Sequence, residues 1–407
     1  MHSDPVERNR LAARLDAAVR ASATPLPTPL LTVDLAAFDA NAADLVKRAG
    51  GKPIRVASKS LRVPALVRRA LEHDGFHGVL AFTLAEALFL EQQDVSDDIL
   101  VGYPTVDAAA LSALISSPRA ASRITIMIDD VAHLDAVDAL RTSMAVPIRV
   151  AIDVDAGLRW GGQQVGPRRS PLFDIGSVVA LARTVVERPG FTLVGVMTYE
   201  GQVAGVPDAV PHQRARSAAV RRIKSMSVAQ LRTRRADIAE GLASIHGFEL
   251  GLWNAGGTGS LESSAADPVV TEVTAGSGLL GPALFDHYRG FSPQPAAFVG
   301  LPVTRRPAAG IATVHGGGLI ASGAAGTDRL PVPWAPPGLR LTTLEGAGEV
   351  QTPLVGDGAD ALRIGDLVWF RHAKSGEPFE HGTTAHLLDG DRFVDAVPTY
   401  RGHGLAF

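Results

Sequence analysis

The stretch IRVASKSLRVPALVRRALEHDGFHGVLAFT, Ile54 to Thr83, reads as a strand, a helix and a second strand. Apolar and β-branched residues crowd IRVAS and GVLAFT, and between them LRVPALVRRALEHD spaces its apolar residues as a one-sided helix does. The unit recurs along the chain. The runs DILVGY (from Asp98), ITIMID (Ile124), PIRVAID (Pro147), TLVGVMTY (Thr192), FELGLWN (Phe248) and PVVTEVT (Pro268) follow, most of them separated by helical stretches such as LAEALFLEQQ. Eight strand-then-helix units within about 250 residues form the pattern of an α/β protein built on a (β/α)8 TIM-type barrel.

The text changes on either side of these units. MHSDPVERNRLAARLDAAVR is charged and amphipathic, without an apolar core of signal-peptide length, and a Pro-rich stretch, Thr24 to Pro29, follows it. From Phe298 onward Gly, Pro and short strands such as GIATVHG and DLVWFRH dominate, and TTAHLLDGDRFVDAV carries an Asp-Gly hairpin turn. The expected domains are an N-terminal helical extension (1–24), the barrel (25–295) and a C-terminal all-β domain (296–407). The arginine-rich stretch within Gly201–His246 reads as a helix with a solvated basic face.

Composition narrows the function classes. The 407 residues are 46% hydrophobic, and 39 Lys and Arg against 42 Asp and Glu leave a formal net charge of −3. Neither nucleic acid nor an anionic membrane is favoured as a partner, so small-molecule chemistry is the expectation. With no cysteine, disulfides, thiolate zinc sites and a cysteine nucleophile are excluded. No segment has the length of apolar sequence that a transmembrane helix needs, and a cytoplasmic location is expected.

Active sites of such barrels lie at the C-terminal ends of the strands, which turns position into a filter for chemistry. Lys59 directly follows the first strand. It is either a surface lysine capping a loop or an amine available for a Schiff base. Across the barrel, NAGGTGS (Asn254 to Ser260) follows the seventh run and TEVTAGSG (Thr271 to Gly278) the eighth, and both can present bare backbone N–H groups and hydroxyls to an anion. A lysine after strand one opposite two anion turns suits an aldehyde that carries a phosphate, namely pyridoxal 5′-phosphate. Arg159, in AIDVDAGLRWGG, either faces the pyridine nitrogen or pairs with Asp153 or Asp155. Tyr199, in VGVMTYEGQ, either bonds the cofactor or a substrate group with its hydroxyl or is a packing residue.

With these residues in place, the sequence resembles the fold-type III pyridoxal-phosphate enzymes with an alanine-racemase-like N-terminal barrel. It is most similar to the D-threonine aldolase and D-serine dehydratase-like branch, which includes amino acid deaminase/aldolase proteins. The resemblance runs from TPLLTVDLAAFDANAADLV through the Lys59 stretch, FTLAEAL, DVDAGLRWGG, MTYEGQ, GGTGS and TEVTAGSG to VWFRHAKSGEPFEHG and VPTYRGHG. It implies that Lys59 holds the cofactor as an internal aldimine and later acts as base at the substrate α-carbon. It further implies that Gly257, Thr258, Gly276 and Ser277 bind the phosphate and that Arg159 and Tyr199 line the ring. The implied activity is a lyase reaction on D-3-hydroxy amino acids, either retro-aldol cleavage or dehydration with deamination, in a homodimer.

The chain departs from the branch at its C-terminus. A P-N-H-x-C/D type motif commonly binds a divalent metal there, whereas Pro398, Thr399, Tyr400, Arg401 and Gly402 stand in this chain. No metal ligands are assigned, and metal binding stays open. His381, in the retained E-H-G element, is the candidate acid/base at the β-hydroxyl, against a purely structural role. His372, Glu377, His386 and His403 match no strong ligand spacing. Competing readings are a non-catalytic pyridoxal-phosphate-binding protein, a racemase with Tyr400 as second base, and a glycosidase using Asp153 and Asp155.

Overall fold

The eight apolar runs become the eight strands of a closed, all-parallel barrel. In this computed structural model the described residues are 4–141 and 146–407. In chain order the barrel strands are Ile54–Ala57, Phe76–Ala81, Ile99–Pro104, Ile124–Ile128, Ile148–Asp153, Phe191–Thr198, Leu252–Ala255 and Glu272–Ala275. The eighth closes onto the first with Val273 opposite Ile54. Parallel strands covered on both faces are apolar almost throughout, which is why the runs were conspicuous. The interior packs Leu100, Met127, Ala151 and Met197 together with Leu80, Val194 and Leu252, one side chain or more from each of six strands.

Helix starts between the strands are fixed by side-chain caps. Thr83 Oγ1 accepts from the Glu86 N–H at 3.0 Å while Glu86 Oε2 accepts from the Phe82 N–H at 2.7 Å, so FTLAEAL closes a reciprocal cap on helix Leu84–Gln92. The arginine-rich stretch forms helix Arg214–Ala243. Its basic run is not wholly solvated as expected, because Arg234 and Arg235 are buried.

Contacts divide the chain into two units, and the division differs from the boundaries expected at 24/25 and 295/296. The barrel unit comprises Asp44–Lys59, Val67–Gly276 and Phe407, and the other unit comprises the chain up to Ala43, Ser60–Leu66 and Ser277–Ala406. The latter is built on a nine-stranded sheet. Its strand Leu30–Asp34 runs antiparallel to Ala297–Ala308 and parallel to Thr384–Asp389, so the segment after the Pro-rich stretch belongs to the β domain and not to the barrel. The first helix, Pro5–Ala21, is likewise part of that domain's core. Its Ala12, Leu15 and Ala18 pack with Leu30, Phe298, Trp334 and Trp369, and Trp369 Nε1 donates to Asp16 Oδ1 at 2.9 Å. Strand LLTVD is buried along its whole length, a pattern equally suited to a barrel or to the centre of a sheet. The expected hairpin turn is present, with strands Thr384–Asp389 and Arg392–Pro398 antiparallel about Gly390.

Candidate active site

Strand one ends at Ala57 and passes into the single helical turn Ser58–Ser60, which carries Lys59. Ser58 Oγ donates to the Leu80 carbonyl at 3.1 Å and ties this turn to the second strand. The half-buried Lys59 ammonium donates to Tyr103 Oη at 2.9 Å, and Tyr103 lies in the third strand at its C-terminal end. The Arg169 guanidinium carbon sits 5.8 Å from the Tyr103 ring centre and 5.9 Å from that of Tyr199, which follows strand six. Tyr199 in turn adjoins the glycine turn after strand seven. A Cβ placed on Gly257 would lie 3.2 Å from the Tyr199 ring and 3.1 Å from Ala204. Lys59, Tyr103, Arg169, Tyr199 and Gly257 therefore form one connected group at the C-terminal mouth of the barrel.

The charges in this group act on one another. Burial alone would raise the Tyr103 phenol, but the Lys59 ammonium and the Arg169 guanidinium outweigh it and hold Tyr103 below its ordinary value. Tyr199 moves the other way, pushed up to about 12 by burial and by Glu200 and Tyr103, against the pull of Arg169. Asp153, closing strand five, is pushed up to about 7 by burial and by Asp129 and Asp155, with Arg169 again opposing. Burial also raises Asp129, after strand four. The mouth thus holds one phenol held below its ordinary value, one pushed above it, and a carboxyl poised near neutrality.

A buried network braces the anion turn. Gly256 has φ +88°, in the left-handed region open to glycine, and the Gly257 N–H donates to Ser260 Oγ at 3.1 Å. Ser260 Oγ donates to Glu200 Oε1 at 2.7 Å, and Ser264 donates to the same carboxylate. Arg235 Nη2 reaches Glu200 Oε2 at 2.9 Å, its Nη1 reaches Asp267 at 3.2 Å, and its Nε donates to Thr198 at 3.0 Å. Glu200, Arg235, Ser260 and Asp267 are all buried, so the turn rests on fixed charges and not on mobile loop contacts. Thr258 is buried with its carbonyl held by Arg48 at 2.6 Å. Gly276 follows strand eight, and Ser277 opens the helical turn Ser277–Leu280.

The structure does not bring Arg159 into this group. Its side chain is exposed, its guanidinium lies 3.5 Å from the Phe173 ring centre, and its N–H donates to Gln230 at 3.0 Å. Nor does it pair with Asp153 or Asp155. Asp155 instead accepts from the Gly157 N–H at 2.6 Å and from Gln164 at 2.8 Å, which pins the loop. Arg169, beyond the hairpin of Leu158–Trp160 and Gln163–Val165, is the arginine of this loop that lies beside Tyr103 and Tyr199. Sequence reasoning missed Tyr103 and Arg169. The filter that selected Lys59 also selects Tyr103, the last residue of DILVGY, whereas nothing in the local pattern singles out Arg169.

In the β domain, His381 follows the turn Glu377–Glu380 and is exposed, its N–H bonded to the Pro378 carbonyl. His372 is buried and pushed down to about 3 by burial and by the adjacent Arg371. His386 stacks on Phe393 at 5.3 Å between ring centres. Among the described residues no three His, Asp or Glu side chains converge in a set able to hold a cation.

The residues at the mouth fit a phosphorylated aldehyde. The lysine amine is half-buried, the glycine turn leaves the space that a Cβ would fill, and an arginine lies between the two. Comparisons with known proteins bear on the fold and the family. The chain is 29% identical over 255 residues to a D-threonine aldolase of an Arthrobacter species, a match that takes in 61% of this chain and spans 60% of that relative's length. A crystal structure of D-threonine aldolase from Filomicrobium marinum superposes with a TM-score of 0.76 at 22% identity, covering 92% of this chain and 95% of that one. D-threo-3-hydroxyaspartate dehydratase from Delftia sp. HT23 superposes with a TM-score of 0.71 at 22% identity, covering 92% and 97%. The profile of the alanine racemase N-terminal domain matches residues 33–280, more than half of the chain, and the protein belongs to that family.

Proposed function

We propose that the protein is a pyridoxal 5′-phosphate-dependent lyase acting on D-3-hydroxy amino acids, with Lys59 as the cofactor-bearing amine. One observation carries this reading: the Lys59 amine and the Gly257 turn belong to a single group of side chains at the barrel mouth. The aldolase and dehydratase names of the similar proteins support the reaction class. When bound, the cofactor supplies an aldehyde carbon for an amino nitrogen and a ring that spreads negative charge from the α-carbon.

The chain's own residues have separable tasks. Lys59 Nζ must be neutral to act as nucleophile or base, and Tyr103 Oη, at 2.9 Å and held below its ordinary value, is placed to take its proton. Arg169 favours the ionised phenol, so it sets the direction of that transfer. Tyr199 keeps its proton and serves as a neutral donor that orients what lies against the Gly257 turn. Gly257, Thr258, Gly276 and Ser277 are the proposed phosphate-binding residues, the Gly257 N–H exchanging its bond to Ser260 Oγ for the anion, and His381 is the proposed acid/base at the β-hydroxyl. The homodimer and the cytoplasmic location belong to the same proposal.

The test is direct. Protein loaded with pyridoxal 5′-phosphate is expected to be yellow, to lose that absorption on borohydride reduction, and to carry the added mass on the Lys59 peptide. Incubation with D-threonine and D-serine, with and without EDTA, then separates glycine plus aldehyde from 2-oxo acid plus ammonia. A label on another lysine, or no product from any 3-hydroxy amino acid, refutes the proposal.

A further inference from the structure

The barrel's other end holds a cavity. The N-terminal ends of the strands line an open cavity of about 400 Å3, within the size range of small-ligand sites. Two carboxylates in its wall are already engaged. Arg55 Nε and Nη2 meet the two oxygens of Glu272 at 2.6 and 2.8 Å, and Nη2 also reaches Asp98 at 2.8 Å. Asp98 further binds His77 Nε2 at 2.9 Å, and Glu272 accepts from Asn254 at 2.7 Å.

Arg149, in the same wall, is different. Its Nε donates to Thr125 Oγ1 at 3.1 Å, and among the described residues no carboxylate lies within ion-pair distance of its guanidinium. Residues 1–3 and 142–145 contain no Asp or Glu. Thr125 fixes one edge of the guanidinium, and the fork formed by the two terminal nitrogens suits a planar carboxylate. The remainder of the wall includes Leu100, Val194 and Leu252, continuous with the apolar barrel interior. A dianion would face about twice the repulsion from Asp98 and Glu272 that a monoanion does, and an apolar body matches the rest of the wall.

We infer that this cavity is a binding site for a small organic monocarboxylate, with the carboxylate on Arg149 and the apolar body against Leu100, Val194 and Leu252. The site lies away from Lys59 and is independent of the lyase reading. Ligand binding there stabilises the barrel by mass action.

The test is thermal melting and calorimetric titration of the full chain with sodium butyrate, against sodium chloride and inorganic phosphate at equal ionic strength. Butyrate is expected to raise the melting temperature saturably. Arg149→Met should weaken its affinity by at least about tenfold, the loss typical of a charge-assisted hydrogen bond. Arg149→Lys, which keeps the charge but loses the fork, should weaken it less and guards against a variant that fails to fold. No saturable effect of butyrate, equal affinity in wild type and both variants, or a larger effect of phosphate than of butyrate would each overturn the assignment.

Discussion

Replacing Asp153 by Asn should make the protein more stable at pH 8 and leave it nearly unchanged at pH 4. The Asp153 carboxyl is raised from 3.8 to about 7 in the folded chain, first by burial and then by Asp129 and Asp155. The folded state therefore binds more protons than the unfolded state through this window. Stability then falls as pH climbs from about 4 to 7, and above 7 the full cost of the buried charge is present. At 1.36 kcal/mol per pH unit, the separation of the two values sets a ceiling of about 4 kcal/mol. Asp153 is only partly sealed from water, so the effective dielectric is well above that of a dry interior, and about 2 kcal/mol is the expected gain. The assay compares the melting temperatures of wild type and D153N at both pH values, using their difference so that contributions common to both chains cancel. A gain of the same size at pH 4 and pH 8 would show that the effect comes from packing, and a loss at pH 8 would show that the charged carboxylate is stabilising. Either result refutes the reasoning.

Arg169→Gln should raise the Tyr103 phenol toward its ordinary value, read by ultraviolet titration, and reduce retention of the cofactor. Unchanged titration would remove Arg169 from the proton path. Arg159→Ala should leave cofactor binding intact and lower stability by about 1 kcal/mol or less, the value of an exposed cation–π contact, with absorbance and melting as the measurements. Glu200→Gln should destabilise the barrel by roughly 3–5 kcal/mol in chemical denaturation, because it removes the buried charge opposite Arg235 and puts an NH2 that cannot accept either against Arg235 or against the two serine hydroxyls, and a change under 1 kcal/mol would contradict the bracing role.

The barrel was legible because parallel strands are covered on both faces. Each strand appears as a short apolar run, and each helix between them carries its own spacing, so all eight strands could be found one unit at a time. The domain boundary was not legible for the same reason. LLTVD looks like a barrel strand because it is buried on both faces, yet the contacts that bury it come from Ala297–Ala308 and Thr384–Asp389, remote in sequence. No local pattern encodes which sheet a strand joins. The first helix poses the same problem, since the partner that holds Asp16 is Trp369.

The same distinction separates the candidate residues that the structure groups at the barrel mouth from those it does not. Lys59, Tyr199 and Gly257 lie within a few residues of a strand end, where the barrel's geometry dictates which way the chain faces, and Tyr103 obeys that rule too. Arg159 and Arg169 sit in the one long loop after strand five, and there distance along the chain stops predicting position. The hairpin of Leu158–Trp160 with Gln163–Val165 holds Arg159 out toward Phe173, while the chain returning past Gly166 delivers Arg169 to the two tyrosines. That return is set by contacts the sequence does not announce: Asp155 holding Gln164, and Ser170 Oγ donating to the Asp153 carbonyl at 2.8 Å. The guanidinium that lies beside the two tyrosines is therefore not fixed by position along the chain. Only the folded loop decides which arginine supplies it.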